Sequence, residues 1–486
     1  MGKTGTGNIR DQHNDPGKAY VWLMQARQSE LRRTFRISIT EGVFSQVYGS
    51  LAGPGSAFLT RLLVFLGAGP MHFSLLSAIG QVSMLFQPMG IIAGRGSTLK
   101  KRRVIVWAAA GRSLTPLLGL APLLLPRSLA LPGVLAVFFV ITSILAVSTN
   151  MWMGWIAHMV PRKIRGRFFA KRNAVLMTFG LIVSFAFGMW LDAYATPPTG
   201  AGALVAGLFN LSPEGLPRAL LATFVTAGIL GIAGLVILRR QPERMEPANP
   251  ETLGSTVLEP LKDPNFRRLC FFGAWWMMAV GVGAPFWQPF MIQVLGMGLV
   301  EMLLYGAVST AGAVLTLRYW GRLIDRYGNK TAMKLAIIAG TVIPLVWLFV
   351  TRETRWLLVF EAAASGSMWG CVGVVTANLV LAVAPKGREQ AYSGLYSAVC
   401  GLAMIVTMLG SGVFMPEPLR LLGLSLHPMQ VLFLATAVAR LSAEIPLKFV
   451  EEPDSVGVSV VLRRLLFWNK VRFPMPRVFF RSGKDN

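Results

Sequence analysis

Apolar runs long enough to cross a bilayer recur along the whole chain, separated by short polar connections. A helix rises about 1.5 Å per residue, so about 20 apolar residues traverse a hydrocarbon core. Twelve segments reach that length, near residues 38–66, 70–94, 104–126, 130–157, 173–195, 217–238, 267–294, 299–319, 332–350, 356–383, 392–415 and 428–450. The pattern predicts an all-α membrane protein with twelve transmembrane spans. The longest internal polar connection carries Pro242, Pro247 and Pro250 among Glu243, Glu246 and Glu251, and it divides the spans into two sets of six. The expected organisation is an N-terminal segment (1–36), a six-helix bundle (37–238), a cytoplasmic linker (239–266), a second six-helix bundle (267–450) and a basic cytoplasmic tail (451–486).

Composition agrees with the pattern. The 486 residues are 53% hydrophobic and 14% charged, against about a quarter charged in an ordinary soluble domain. Lysine and arginine concentrate in alternate connections, at residues 100–103, 162–172, 239–244 and 322–330 and at Lys386 and Arg388. The other set holds little beyond Arg127, Arg218, Arg352, Arg355 and Arg420. Positive charge is retained on the cytoplasmic side during insertion, so the rich set and both termini are expected on the cytoplasmic side of the membrane. This asymmetry accounts for much of the net charge of +25 and makes a nucleic-acid reading unnecessary. Residues 1–36 are polar and lack the hydrophobic core of a cleavable signal. Tyr20, Leu23, Met24 and Leu31 at helical spacing among basic residues, and a tail mixing Arg463, Arg464, Lys470 and Arg472 with Leu465, Leu466, Phe467 and Trp468, suit an anionic lipid surface. Cys270, Cys371 and Cys400 all fall within spans, which fits neither a disulfide framework nor a metal site, and no cofactor is expected.

A charged side chain at mid-membrane costs about 2.5–3.5 kcal/mol even on the gentlest scale, so each one requires a partner or a water-filled cavity. Glu41, Arg112, Glu361, Arg440 and Glu444 are the cases to explain. Arg440 and Glu444, four residues apart, are expected to neutralise one another on one helix face. Glu41, Ser45 and Tyr48 share a face of span 1, and Glu361, Ser365, Trp369 and Thr376 form a similar stripe on span 10. Span 4 adds Ser143 and Asn150; span 7 adds Trp276 and Gln288, with Gly281, Gly283 and Pro285 interrupting its regularity. Arg112 in span 3 is the natural counter-ion of Glu41, either as a pair broken during conformational exchange or as a static tie between helices. Trp152, Trp155 and Trp287 near span ends read as interfacial anchors. His13, His72, His158 and His427 do not cluster.

The connection between spans 8 and 9 runs Gly321, Arg322, Leu323, Ile324, Asp325, Arg326, Tyr327, Gly328, Asn329, Lys330. A weaker copy lies upstream, where Gly90, Gly94 and Arg95 precede Lys100, Lys101, Arg102 and Arg103 but no acid is present. A second repeated pair begins at Pro161 and Pro385, each leading through a basic glycine turn into an aromatic, Phe168 or Tyr392. Two tandem halves follow. The glycine-acid-arginine-glycine-lysine loop resembles the signature of the major facilitator superfamily. That resemblance implies two pseudo-symmetric six-helix bundles with spans 1, 4, 7 and 10 lining a central cavity. It places Glu41, Ser45, Tyr48, Asn150, Trp276, Gln288, Glu361, Ser365, Trp369 and Thr376 toward that cavity. The loop residues Gly321, Asp325, Arg326, Gly328 and Lys330, with Gly90 and Arg95, become a conformational latch made in one state and released in another.

Several features resemble a poorly characterised bacterial branch: Thr40-Glu41-Gly42, Asp263-Pro264-Asn265-Phe266, Pro285-Phe286-Trp287 and Asn378. The chain lacks the span 4 arginine and the span 5 glycine-proline motif of the superfamily's drug/proton antiporters. The leading expectation is a secondary active transporter working by alternating access. The alternative is a non-transporting assembly or delivery factor on the same scaffold. No metal-spaced histidine pair, nucleophile elbow or nucleotide loop supports an enzyme. Expected partners are a small-molecule substrate, a coupling proton or ion where one drives transport, and membrane lipid around a monomer.

Overall fold

The computed structural model describes residues 16–86, 89, 101–159, 162–198, 200–243, 259–385, 388–421 and 423–452. The chain is built of helices: α1 (Pro16–Ala52), α2 (Ala57–Phe65), α3 (Pro70–Met84), α4 (Lys101–Ser113), α5 (Pro116–Leu124), α6 (Arg127–Met159), α7 (Arg162–Asp192), α8 (Gly200–Phe209) and α9 (Leu216–Leu238), then α10 (Pro264–Gly283), α11 (Leu299–Tyr327), α12 (Asn329–Val346), α13 (Leu357–Val383), α14 (Glu389–Val413), α15 (Pro428–Ser442) and α16 (Glu444–Lys448). One short antiparallel hairpin, β1 (Leu419–Leu421) with β2 (Leu424–Leu426), departs from the all-α expectation. Gly423, at φ +81°, supplies its turn.

Ten helices among the described residues are long and apolar enough to cross a membrane, all between Lys101 and Lys448. Predicted spans 1 and 2 fall short of that measure for separate reasons. Span 1 is divided: α1 is 37 residues long with a charged beginning, and the chain breaks between it and α2. Pro54 has no amide to donate and Gly55 sits at φ +78°, so the helix cannot continue. The Ser56 hydroxyl restarts it by accepting from the Phe58 amide at 3.3 Å. Span 2 is represented by the 15 residues of α3, and most of its remainder falls outside the described residues. Span 7 breaks at Pro285: α10 ends at Gly283, and the path continues through Trp287–Pro289 into a π turn at Phe290–Val294. The apolar helix α8 lies in a connection where no element is predicted.

The outward faces are apolar. Leu315 is 72% exposed and Phe360 68%, and Val406 and Val438 are also uncovered. A surface of this kind is stable against lipid rather than water. Buried apolar residues form one large cluster at the end where α2, α3, α6, α9, α10, α11 and α15 meet, and it joins residues before 243 to residues after 259. At the opposite end the clusters separate: one holds only residues 266–450, another only residues 104–238. Among the described residues the two portions are thus sealed together at one end and not at the other.

Glycines set the closest helix crossings. A Cβ on Gly366 would collide with the Ser309 carbonyl, and one on Gly312 with the Ala363 carbonyl, so α11 and α13 touch backbone to backbone. Gly321 has open space around it. Gly366→Ala is therefore expected to destabilise the protein by about 1–3 kcal/mol through overpacking, while Gly321→Ala leaves it unchanged. Thermal melting of the detergent-purified variants checks both.

Candidate functional site

Between the two portions lies a cavity of about 1500 Å³, larger than the ~300–1,000 Å³ of ordinary small-molecule pockets. Its lining reaches Thr376, Val380 and Leu381 at the end of α13 and Ser393 at the start of α14. The opening is therefore at the end where the apolar clusters are separate. Its floor is the joint cluster, where Asp192 at the end of α7 accepts from the Leu299 and Val300 amides at 2.8 and 2.9 Å. Those amides begin α11 and have no partner within their own helix. Thr60 donates to Gln288 Oε1 at 2.6 Å, and Gln288 Nε2 donates to the Gly55 carbonyl at 3.0 Å.

Glu361 and Arg440 are the charged side chains of the described lining. Glu361, Ser365, Trp369 and Thr376 lie along one face of α13 and all border the cavity. Tyr305, from α11, lies close enough to Glu361 and Ser365 to interact with both. Arg440, on α15, is 3% exposed; its Nη1 donates to the Gly340 carbonyl at 3.1 Å, and its guanidinium sits 5.8 Å from the ring centres of both Trp276 and Trp369. Glu361 Oε2, Arg440 Nε and the indole nitrogens of Trp276 and Trp347 are buried without a hydrogen-bond partner. Arg440 does not pair with Glu444 as expected: α15 stops at Ser442, so the two do not share a continuous helix face. Trp276, expected to face the cavity, stands behind its wall at 2% exposure, with Gly340 and Arg440 against it.

A second buried charge cluster holds the span 1 residues. Glu41 lies 3.9 Å from Arg112 and 3.8 Å from Arg172. Ser45 donates to Glu41 and accepts from Arg112 Nη2 at 2.7 Å, while Arg112 Nη1 donates to the Gly231 carbonyl at 2.6 Å. Arg172 donates to the Ser38 carbonyl at 3.2 Å and lies over the Trp152 ring at 4.7 Å. Tyr48 and Thr115 share a hydrogen bond of 3.0 Å. Glu41, Ser45, Tyr48 and Arg112 are thus brought together, but none borders the cavity, contrary to the expectation of a water-facing stripe. The physical reason is packing: Gly42, Gly231 and Gly234 let neighbouring side chains close over this face of α1. Asn150, also expected at the cavity, is half-buried on α6 and absent from its lining. Trp155 and Trp287, read as interfacial anchors, are interior: Trp155 is 3% exposed and Trp287 stacks on Phe433 at 3.8 Å.

The connection expected to form a ten-residue turn is mostly helix. α11 runs through Gly321, Asp325 and Arg326 to Tyr327, and Gly328 alone, at φ +87°, separates it from α12. Asp325 and Arg326 are exposed, and Asp325 makes no ion pair among the described residues. Lys330 instead donates to the Lys448 and Val450 carbonyls at 2.9 and 2.8 Å, tying α12 to the end of α16. Gly90 and Arg95 lie outside the described residues. His427 caps α15 by accepting from the Met429 amide at 3.2 Å, and burial pushes its imidazole below its ordinary pKa. The residues that sequence reasoning missed are Asp192, Arg172, Tyr305 and Arg440 as a cavity residue. Asp192 ends a span, the one available signal.

A multi-pass helical membrane protein enclosing a cavity between two helix groups is the architecture of a transporter. The sequence profile of the Major Facilitator Superfamily matches residues 44–408, and the chain belongs to that family of transporters. Among solved structures it is similar to a mutant of the nucleoside transporter NupG (13% identity, 86% of this chain and 100% of that one, TM-score 0.61). It is also similar to the xylose transporter XylE from E. coli (13% identity, 88% and 100%, TM-score 0.57). A third is a bacterial homologue of the lysosomal transporter Spinster, solved inward-facing and unoccupied (16% identity, 87% and 95%, TM-score 0.55). At such identities the likeness is one of fold. Among curated proteins none matches the sequence.

Loss of Glu41 would leave Arg112 and Arg172 as uncompensated buried cations. Glu41→Leu is expected to cost about 3–5 kcal/mol of stability. A lower melting temperature with unchanged thiol labelling of a cysteine at Thr376 is the expected measurement.

Proposed function

We propose that this chain is a secondary active transporter that moves a small molecule by alternating access between two six-helix bundles, residues 37–238 and 267–450, with twelve membrane crossings. One observation carries the reading: apolar packing and hydrogen bonds join the two portions at one end of a cavity whose other end is open. In this account α1 with α2 forms the first crossing and α3 belongs to the second. Both sets then have six members.

The open end carries Lys101, Arg102, Arg103, Arg322, Arg326 and Arg388. The positive-inside rule assigns that end to the cytoplasm, so the conformation is inward-open and both termini are cytoplasmic; the resemblance to a bacterial branch supports an inner membrane as its setting. An unpaired, exposed Asp325 fits a latch on the cytoplasmic face that is released in this state and made when the cavity faces outward. Exchange to that state must break the contacts of Asp192 with α11 and of Gln288 with Thr60 and Gly55. Substrate binds on the wall formed by Glu361, Ser365, Trp369 and Thr376, and Glu361 is the group best placed to carry a coupling proton. The Glu41 cluster is a static tie within the first bundle.

Thiol labelling tests the mechanism after Cys270, Cys371 and Cys400 are replaced. Cysteines at Ser77 and Thr376 are expected to react from the cytoplasmic side, and labelling from both faces at once, or from neither, would end the reading. Asp192→Asn removes the anion from the start of α11. It is expected to raise labelling of a cysteine at Met291 from the opposite face several-fold, reported by a membrane-impermeant reagent applied to intact cells.

A further inference from the structure

The lining of the cavity is unequal in its chemistry, and that inequality restricts what it takes up. We infer that the substrate is a net-neutral, amphipathic molecule with a planar apolar portion, laid against Trp369 and offering a hydrogen-bond donor to Glu361. The inference rests on the transport reading and adds the class of molecule to it.

Charge is the first constraint. Glu361 and Arg440 are the charged lining residues among those described, and their formal charges cancel. Each is nearly buried, at 4% and 3% exposure. A substrate bearing net charge would add an ion that this net-neutral pair does not compensate. Arg440 is also covered: two indoles flank its guanidinium at 5.8 Å and the Gly340 carbonyl takes one of its donors. At 3% exposure little of its guanidinium is open for a phosphate or carboxylate to grip. Inorganic cations are disfavoured too, since no group of three His, Cys, Asp or Glu side chains among the described residues could hold a metal.

Shape and polarity are the second. Met177, Met277, Met291, Met302, Met404 and Met408 border the cavity. Thioether chains mould themselves to apolar bodies of irregular outline. The carboxamides on the wall are those of Gln46, Gln81 and Gln288, and Gln288 is already engaged with Thr60 and Gly55. Serine, threonine and tyrosine hydroxyls complete the polar lining, with Ser365 and Thr376 on the same helix as Trp369. A flat ring finds the Trp369 indole, held edge-on by Trp276 at 6.3 Å between centres. Four residues from Trp369 is Ser365, and four further is Glu361, whose carboxylate lies beside Tyr305 and the Trp347 indole with its Oε2 buried and without a hydrogen-bond partner of good geometry. One face of α13 thus offers a stacking surface, a hydroxyl and an acceptor in sequence, all on the cavity wall.

The test uses the purified full-length protein in detergent and four probes: indole-3-carboxamide (neutral), tryptamine (cationic), indole-3-carboxylate (anionic) and D-xylose (a polyol). Thermal stabilisation as a function of concentration reports affinity. The carboxamide is expected to stabilise the protein at lower concentration than the other three. Glu361→Gln exchanges a charged acceptor for a neutral one and is expected to weaken carboxamide binding about tenfold. Trp369→Ala is expected to abolish it, and Trp369→Phe, which keeps a ring in a folded wall, to retain it. Tighter binding of tryptamine, the carboxylate or xylose than of the carboxamide overturns the inference, as does stabilisation by none of the four. In either case one-sided labelling of a cysteine at Thr376 would leave the transport mechanism standing, whereas two-sided labelling would remove the mechanism itself.

Discussion

Asp192 is 2% exposed, and its two carboxylate oxygens hold the first amides of α11 across the boundary between the two portions of the chain. That contact is charged, directional and sunk in apolar packing, so it is strong where it is made and leaves an orphan anion where it is broken. The joint apolar cluster grows around it, with Phe286, Phe290 and Phe433 wholly buried. Glycines bring the helices close enough for this: Gly412 lies where any Cβ would strike Ser74, and a Cβ on Gly188 would press on Leu303 at 3.0 Å. At the other end, where the cavity opens, no comparable contact joins the portions among the described residues.

The chain contains two buried groups of charge, and their surroundings give them different fates. Around Glu41 two guanidiniums lie within ion-pair distance, and glycines let the neighbouring side chains close over the cluster, although Glu41 Oε2 and Arg112 Nε lack a hydrogen-bond partner. Around Glu361 and Arg440 polar atoms are likewise left without partners, but here the wall faces open space. A charge group compensated by close ion pairs and closed off by packing fixes how helices sit; one that borders a cavity has capacity to receive something else. This contrast separates a structural ion group from a binding surface more sharply than depth in the membrane does.

Much of the fold was legible from hydrophobic periodicity, because lipid requires long apolar helices and tolerates little else. Ten of the expected spans appear as such among the described residues. The irregularities were legible only in part. Gly281, Gly283 and Pro285 marked the break in span 7, yet the two glycines also admit Thr407 and Thr436 of neighbouring helices, which spacing along one helix cannot reveal. The loop at Gly328 was recognisable from composition, but helix α11 absorbs most of it, since nothing before the glycine forbids helical dihedrals. On α13 the stripe from Glu361 to Thr376 was read from helical spacing, and it borders the cavity together.

Membrane insertion, helix number to within the two irregular spans, family membership and the polar stripe on α13 were determined by the sequence alone, for each depends on local composition or periodicity. The tertiary structure decided which polar faces meet open space. Glu41 and Glu361 both lie in predicted spans, beside hydroxyls at the same spacing, and nothing local distinguishes them. Their difference lies in what arrives from elsewhere: Arg112 and Arg172 reach Glu41, while Arg440 stops short of Glu361 between two indoles. Burial of charge is a property of all the elements surrounding a site, and those neighbours are set by how the helices pack.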